Sequence, residues 1–360
     1  MTRQRLRDLG YAVGRLPPGP HNAITDVAGV RVGYATVVAD RPRLARTGVT
    51  VLVPNDGRIW DRCVFAGAHV LNGFGEMTGL AWLNEAGLLN APIALTNTHD
   101  VGAVRDALVT AANERGHRRN HMLPIAAETC DEGFSDASAH HVGARHLFEA
   151  LESASAGIVA EGNVGGGTGM VCHDFKGGTG TASRVGRAAG LDFTVGALVQ
   201  ANYGSRADFR IDGVPVGREI GLDRVPAPDW RGEKGAGSII VVLATDLPLL
   251  PLQCRRLAQR AGLGLARVGG VGHNGSGDIF IAFATGNVLP LDSAAVLTDL
   301  RMLPNEEIDP LFEAAIEAVE ESILNALAMA ETMTGLHGRT VHALPYDLLA
   351  EAMGRYRRRD

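Results

Sequence analysis

The sequence predicts a layered α/β (α+β) fold, and three observations carry that prediction. Short runs of β-branched and other apolar residues recur along the chain, each stopped by glycine, asparagine or aspartate. Amphipathic helical stretches stand between them. Glycine, at 46 of 360 residues, is about twice as frequent as in average proteins, which implies many tight turns and close backbone approaches.

Taken in order, the PPGP lead-in at 17–20 precedes an alternation around Val30 and Val32 that predicts a first strand. TGVTVLV at 47–53 predicts a second, ended by the Asn55-Asp56-Gly57 turn. Glycines break any regular pattern over 66–83 before a short helix. A strand is expected at 91–97, and Thr98 or Asp100 offers an N-cap for an amphipathic helix over 101–115. Further strands are expected at 123–128 and 157–160, with a helix over 136–153 between them, begun by Asp136 or Ser138. Strands at 193–200, 238–245 and 278–285 follow, with an amphipathic helix at 252–262. Asp309 and Pro310 start a long helix that presents Phe312, Ile316, Val319, Ile323 and Leu327 on one face. The segment 205–231, with Pro215, Pro226, Pro228 and many charges, reads as an exposed connector. No repeat or domain boundary is visible, so one layered domain over 1–360 is expected.

Composition excludes several functions. A net charge of −6 and 5% aromatic residues argue against a nucleic-acid partner, which needs a basic face or a stacking surface. The locally basic stretches, 115–119 and the GRYRRRD tail, read as solvated surface. Cys63, Cys130, Cys172 and Cys254 are widely spread with no Cys-x-x-Cys pair, which suits reduced thiols better than a disulfide or zinc framework. No secretory signal or membrane-spanning run is visible, so a cytoplasmic protein is expected. No metal site is expected: His117 and His121 lack an acidic third ligand, and adjacent His140 and His141 point in different directions. No cofactor is expected either. GNVGGGTG at 162–169 lacks the Lys-Ser/Thr of a phosphate loop and the spacing of a dinucleotide fingerprint.

Four polar-glycine clusters stand out: NGFGEMTG (72–79), EGNVGGGTG (161–169), GHNGSGD (272–278) and the loop before Ser238. In KGAGSIIVVLATDLPLL (234–250), Ser238 stands where a flexible loop meets a strand buried on both faces. In GHNGSGD (272–278), Ser276 and Asp278 share one side of an extended backbone, so a hydroxyl and a carboxylate can form a relay. VQANYGSR (199–206) puts Asn202 just past a strand, where its amide can donate to an oxyanion. Each cluster alone reads as an ordinary turn or strand start.

Together they resemble the L-aminopeptidase D-amidase/esterase and β-peptidyl aminopeptidase family of N-terminal-nucleophile-like hydrolases. The matching stretches, in family order, are NAITDVAGVRVG (22–33), HVLNGFGEMTGL (69–80), PIALTNTHDVG (92–102), EGNVGGGTGMVCHDFKGGTGTASR (161–184), LVQANYGSR (198–206), GAGSIIVVLATDLPLLPLQ (235–253) and NGSGDIFIAFAT (274–285). The resemblance implies a four-layer αββα sandwich, similar to the N-terminal-nucleophile hydrolases but with different strand connections. It implies self-cleavage of the Gly237–Ser238 bond into fragments 1–237 and 238–360, often assembled as tetramers of processed heterodimers. It makes Ser238 the nucleophile, Ser276 and Asp278 its hydroxyl-carboxylate partners and Asn202 an oxyanion donor. Within PIAAETCDEGFSD (124–136), Glu128 matches the family's acidic pocket residue, which receives the substrate's ammonium group. Many relatives carry an aromatic where this chain has Cys130.

The implied activity is release of a small L-, D- or β-amino acid from the N-terminus of a short peptide, amide or ester. A free α-amine on Ser238, with a pKa of about 7.7–8.0, is partly unprotonated near neutrality and can help activate the hydroxyl. An acyltransferase of the ornithine acetyltransferase type and a non-catalytic small-molecule-binding relative are the alternatives. Such acyltransferases use threonine at the cleavage point, and this chain has Ser238.

Overall fold

A computed structural model describes residues 2–56, 59–115, 122–229, 237–290 and 297–357. Gly57, the His117/His121 pair, the basic stretch 116–119, Lys234, Gly235, Ala236 and the last three residues of the basic tail lie outside the described residues. Strands β1 (Arg31–Ala39), β2 (Ala45–Val53) and β3 (Arg62–Gly73) lead to α1 (Leu80–Ala86), β4 (Leu88–Leu89) and β5 (Ile93–Thr96). Helix α2 (Val101–Glu114), β6 (Ile125–Glu128) and α3 (Ala144–Ser153) follow. A short hairpin, β7 (Val171–Cys172) and β8 (Phe175–Lys176), precedes β9 (Gly178–Ala188), β10 (Leu191–Asn202) and α4 (Val216–Glu219). The last part holds β11 (Ser238–Thr245), α5 (Pro251–Val268), β12 (Gly277–Pro290), α6 (Asp309–Met329), β13 (Met333–Thr334), β14 (Thr340–Val341) and α7 (Tyr346–Arg357).

Two sheets carry the architecture, one in the order β1-β2-β5-β6 and one in the order β4-β3-β12-β11-β10-β9. Helices α2 and α3 pack on the first sheet, α5 and α6 on the second. The expected four-layer αββα sandwich is present. Strand β11 shows why its sequence is so uniformly apolar: Ile239, Val241 and Leu243 join the core under α5 and α6, while Ile240, Val242 and Ala244 join the core shared with Val49, Val51 and Leu95 of the first sheet. Each such large aliphatic side chain contributes about 1.5–3 kcal/mol on burial. Ser238, at the end of this strand, therefore starts from an anchored position.

Strand β9 is tied to α6 by charge as well as packing. The Arg184 guanidinium, fully buried, meets Glu317 at 3.2 Å and Glu321 at 2.7 Å, and Arg7 from the N-terminal segment also reaches Glu321 at 2.7 Å. Burial tends to raise the Glu321 carboxyl, yet the hydrogen bond from Arg7 and the charges of Arg184 and Arg7 hold it below its ordinary value.

Several expectations need correction. Over 66–83, where no regular pattern was expected before a helix, the residues up to Gly73 belong to β3 and α1 begins at Leu80 as expected; Gly67 lets α5 pack closely, since a side chain there would lie 2.5 Å from the Arg255 amide nitrogen. Strand β9 carried only a weak strand signal because its first half, 178–183, alternates glycine with other small residues; these let α6 approach closely, since a side chain at Gly180 would lie 2.0 Å from the Ser322 carbonyl oxygen. Residues 157–160 form no strand. The helix expected from Asp136 begins only at Ala144, because His140 turns the chain with φ 49° and Gly143 is extended. Asp100 precedes α2 as expected, but its side chain makes no cap; it accepts instead from Asn97 and from the Val142 amide. The helix expected at 252–262 continues to Val268. The connector at 205–231 is not simply exposed: Arg206, Phe209, Ile211, Val216, Ile220 and Val225 are buried in it, which its prolines and charges concealed.

Candidate active site

The site lies where the layer between the sheets ends. Antiparallel register sets Asn202, the last residue of β10, opposite Ser238, the first of β11. Parallel register sets Asp278, near the start of β12, beside Ile239. Three neighbouring strand ends thus gather the four residues singled out for catalysis, and all four are buried.

Their hydrogen bonds are specific. The Ser238 hydroxyl accepts from the Gly277 amide at 3.1 Å. The Ser276 hydroxyl donates to Asp278 Oδ1 at 2.7 Å, the pairing that their i, i+2 spacing allows. Burial pushes the Asp278 carboxyl above its ordinary value, and the hydrogen bonds from Ser276 and the Ile239 backbone partly offset this. The turn that carries the pair is tight: a side chain at Gly277 would lie 2.5 Å from the Phe74 carbonyl oxygen, so only glycine brings this amide to Ser238.

Asn202 bridges the two sheets. Its Nδ2 donates to the Cys130 carbonyl at 2.9 Å, just beyond β6, and its Oδ1 accepts from the Val171 amide at 2.8 Å. Beneath it, Gln200 reaches across to the Thr96 carbonyl and the Thr129 hydroxyl, each at 2.8 Å.

Glu128, the last residue of β6, approaches from the first sheet. Its Oε1 accepts from the Glu76 amide at 2.9 Å and its Oε2 from the Thr98 hydroxyl. The segment after β3 links it to the serine turn, since a side chain at Gly75 would come within 3.2 Å of both Glu128 Oε1 and Gly277 Cα. Burial raises the Glu128 carboxyl above its ordinary value; the bonds from Thr98 and Glu76 pull it back in part. Next to it, burial brings Asp131 up to about 7.

Other predicted features fall elsewhere. The 165–167 glycines form a buried turn between the sheets whose amides donate to Thr36 and Thr50, the close backbone packing that competed with a phosphate loop. His140 sits with Nδ1 3.2 Å from Asp100. Among the described residues no disulfide forms: Cys63, Cys172 and Cys254 are buried, while Cys130 is exposed at the site's edge. Sequence reasoning missed two buried cations at the β7–β8 hairpin, Lys176 and Arg206. A lysine set between Phe175 and two glycines was the available signal.

The αββα fold with a serine opening a central strand, a hydroxyl-carboxylate pair beside it and an amide opposite defines a hydrolase of the N-terminal-nucleophile type. Known proteins agree. The chain is 51% identical to a Burkholderia sp. β-aminopeptidase structure, with a TM-score of 0.91 over 98% of this chain and 99% of that one. An L-aminopeptidase D-Ala-esterase/amidase from Ochrobactrum anthropi, described as a variant of the Ntn hydrolase fold, matches with a TM-score of 0.91 at 42% identity, covering 98% and 99% of the two chains. The β-peptidyl aminopeptidase BapA of Sphingosinicella microcystinivorans is 44% identical over 98% of this chain and 93% of its own length. Residues 22–341 match peptidase family S58, and the chain belongs to that family. It is an aminopeptidase of the serine type. These likenesses lend nothing to the acyltransferase or the non-catalytic alternative.

Proposed function

We propose that the chain cleaves its own Gly237–Ser238 bond, giving fragments 1–237 and 238–360, and that Ser238 then serves as nucleophile toward short peptides, amino-acid amides and esters. The observation that carries this reading is the convergence at one point of the Ser238 hydroxyl, the Ser276–Asp278 pair and the Asn202 amide. In the first reaction the Ser238 hydroxyl attacks the Gly237 carbonyl and the C–N bond breaks, which leaves an ester on the hydroxyl and a free α-amine on Ser238; water then hydrolyses the ester and frees the hydroxyl. In turnover that amine takes the hydroxyl proton as the hydroxyl attacks the scissile carbonyl. Ser276 and Asp278 orient the exchange, and Asn202 donates to the oxyanion, a contribution of about 3–4 kcal/mol for such donors. The proton passes to the leaving amine, and water then hydrolyses the acyl-enzyme. Glu128 receives the substrate's ammonium group, which restricts cleavage to the N-terminal residue.

The preference for small L-, D- or β-residues is proposed from the similarity to β-peptidyl aminopeptidases and to the L-aminopeptidase D-Ala-esterase/amidase. A homo-oligomer, a tetramer of processed heterodimers, and a cytoplasmic location belong to the same proposal; among the described residues no helix is long and apolar enough to cross a membrane. A denaturing gel with mass analysis tests the first step: a fragment beginning at Ser238 is expected in the native protein. Ser238→Ala is expected to stay as one chain and to release no p-nitroaniline from alanine p-nitroanilide. Normal hydrolysis by that variant would reject Ser238 as nucleophile.

A further inference from the structure

An asparagine amide is nearly symmetrical in shape, so something must decide which end is oxygen and which is nitrogen. At Asn202 the decision is made by two partners of opposite character. The Val171 amide can only donate and meets Oδ1 at 2.8 Å, while the Cys130 carbonyl can only accept and meets Nδ2 at 2.9 Å. A flipped amide would set donor against donor and acceptor against acceptor. The Nδ2 group is thereby held in place, provided the Val171 amide itself is fixed.

Val171 opens the β7–β8 hairpin, whose turn residues His173 and Asp174 both have positive φ, 49° and 60°, as a two-residue turn of type I′ requires. His and Asp tolerate positive φ better than most L residues, and contacts from outside the hairpin add to the hold, among them the His173 amide on the Tyr203 carbonyl at 2.7 Å. Two buried cations supply others. Lys176 Nζ donates to the Met170 and Gly177 carbonyls, each at 2.9 Å, clasping the residue before Val171 to the end of the hairpin. Arg206 donates to the His173 carbonyl at 3.1 Å and the Asp174 carbonyl at 2.7 Å, and its guanidinium stacks on the Phe175 ring with Cζ 3.4 Å from the centroid. Its backbone amide also donates to Asp174 Oδ2 at 2.8 Å. Arg206 Nη1 donates to the Ile220 carbonyl at 3.2 Å and the Val225 carbonyl at 3.0 Å, so the guanidinium ties the turn to the segment after Asn202.

We propose that the β7–β8 hairpin is a buttress that fixes the Asn202 amide for oxyanion binding, with Lys176 and Arg206 as its positioning residues. This rests on the reading of Asn202 as the oxyanion donor. Burial brings Lys176 down to about 7, and its neutral amine still has two protons for its two carbonyl acceptors, so the clasp survives loss of the charge.

A double-mutant cycle on the full-length, self-processed protein tests the proposal, with kcat per processed chain and KM read on alanine p-nitroanilide. Asn202→Ala is expected to lower kcat about 10²–10³-fold. Lys176→Met is expected to lower kcat roughly tenfold or more with KM within about twofold, and to lower it by less than about threefold when Asn202 is already alanine. Should Lys176→Met not accumulate as folded protein, Arg206→Lys, which keeps the charge but loses the planar fork, is expected to show the same dependence on Asn202 at smaller amplitude. An equal loss in both backgrounds, or no loss in the native one, would overturn the buttress alone. An Asn202→Ala variant with native kcat would overturn the oxyanion reading and the buttress with it.

Discussion

Replacing Glu128 by glutamine separates what the carboxylate does for substrate from what it does for the fold. Its Oε1 accepts from the Glu76 amide at 2.9 Å and its Oε2 from the Thr98 hydroxyl. Glutamine keeps the first bond through its carbonyl oxygen, and its amide can donate to the Thr98 oxygen, so the local structure is retained. Only the charge is lost. A hydrogen bond from an ammonium to a buried carboxylate is worth about 1.5–3 kcal/mol, which at about 1.4 kcal/mol per tenfold gives a loss of roughly 10- to 150-fold. Glu128→Gln is therefore expected to lower kcat/KM for alanine p-nitroanilide by that factor, and to leave the weak hydrolysis of the N-acetylated anilide unchanged. Stability should move the other way. Burial raises the folded-state pKa of Glu128 above its unfolded value, so the stability this group contributes is fully present below the unfolded pKa and is lost as pH rises through the folded pKa. The neutral glutamine escapes that loss, and the variant should melt above the native protein at pH 7, with the difference shrinking in acid. A native kcat/KM on the free-amine substrate would refute the ammonium contact, and a lower melting temperature at pH 7 would refute the assignment of burial as the dominant cause.

Two further variants probe other parts of the argument. Gly237 has φ 130°, a conformation that L side chains rarely adopt, directly before the proposed scissile bond. Gly237→Ala adds about 1–3 kcal/mol of backbone strain there and should slow appearance of the 238–360 fragment about tenfold, followed by gel after synthesis; an unchanged rate would show that this geometry is irrelevant to processing. Arg184→Met removes the shared partner of Glu317 and Glu321 and leaves buried carboxylates undercompensated. A loss of about 3–5 kcal/mol is expected in unfolding experiments, and a loss below about 1 kcal/mol would mean that Arg7 alone neutralises the cluster.

The sequence determined more of the site than of the strands around it. Ser276 and Asp278 were legible as a pair because extended backbone fixes residues i and i+2 on one side whatever the rest of the chain does. Strand β11 was legible because burial on both faces demands an unbroken apolar run. Ser238, Asn202 and Glu128 acquired roles only through the order of the motifs, since each alone is an ordinary strand-end residue. The tertiary structure decided what no local pattern encodes. Strand β9 is made by its pairing along β10, and the glycines that let α6 lie close against it weaken its strand signal. The segment after Asn202 is partly buried, and within it Arg206 satisfies the His173, Asp174, Ile220 and Val225 carbonyls, where prolines and charges suggested solvent. Asn202 is set by a hairpin some thirty residues upstream and by a carbonyl of the opposite sheet. Hydrogen bonds between distant segments fix the direction of a side chain, whereas spacing along the chain fixes only the face it starts from; Ser238 could be found in the sequence, but its surroundings are made by the sheets that meet there.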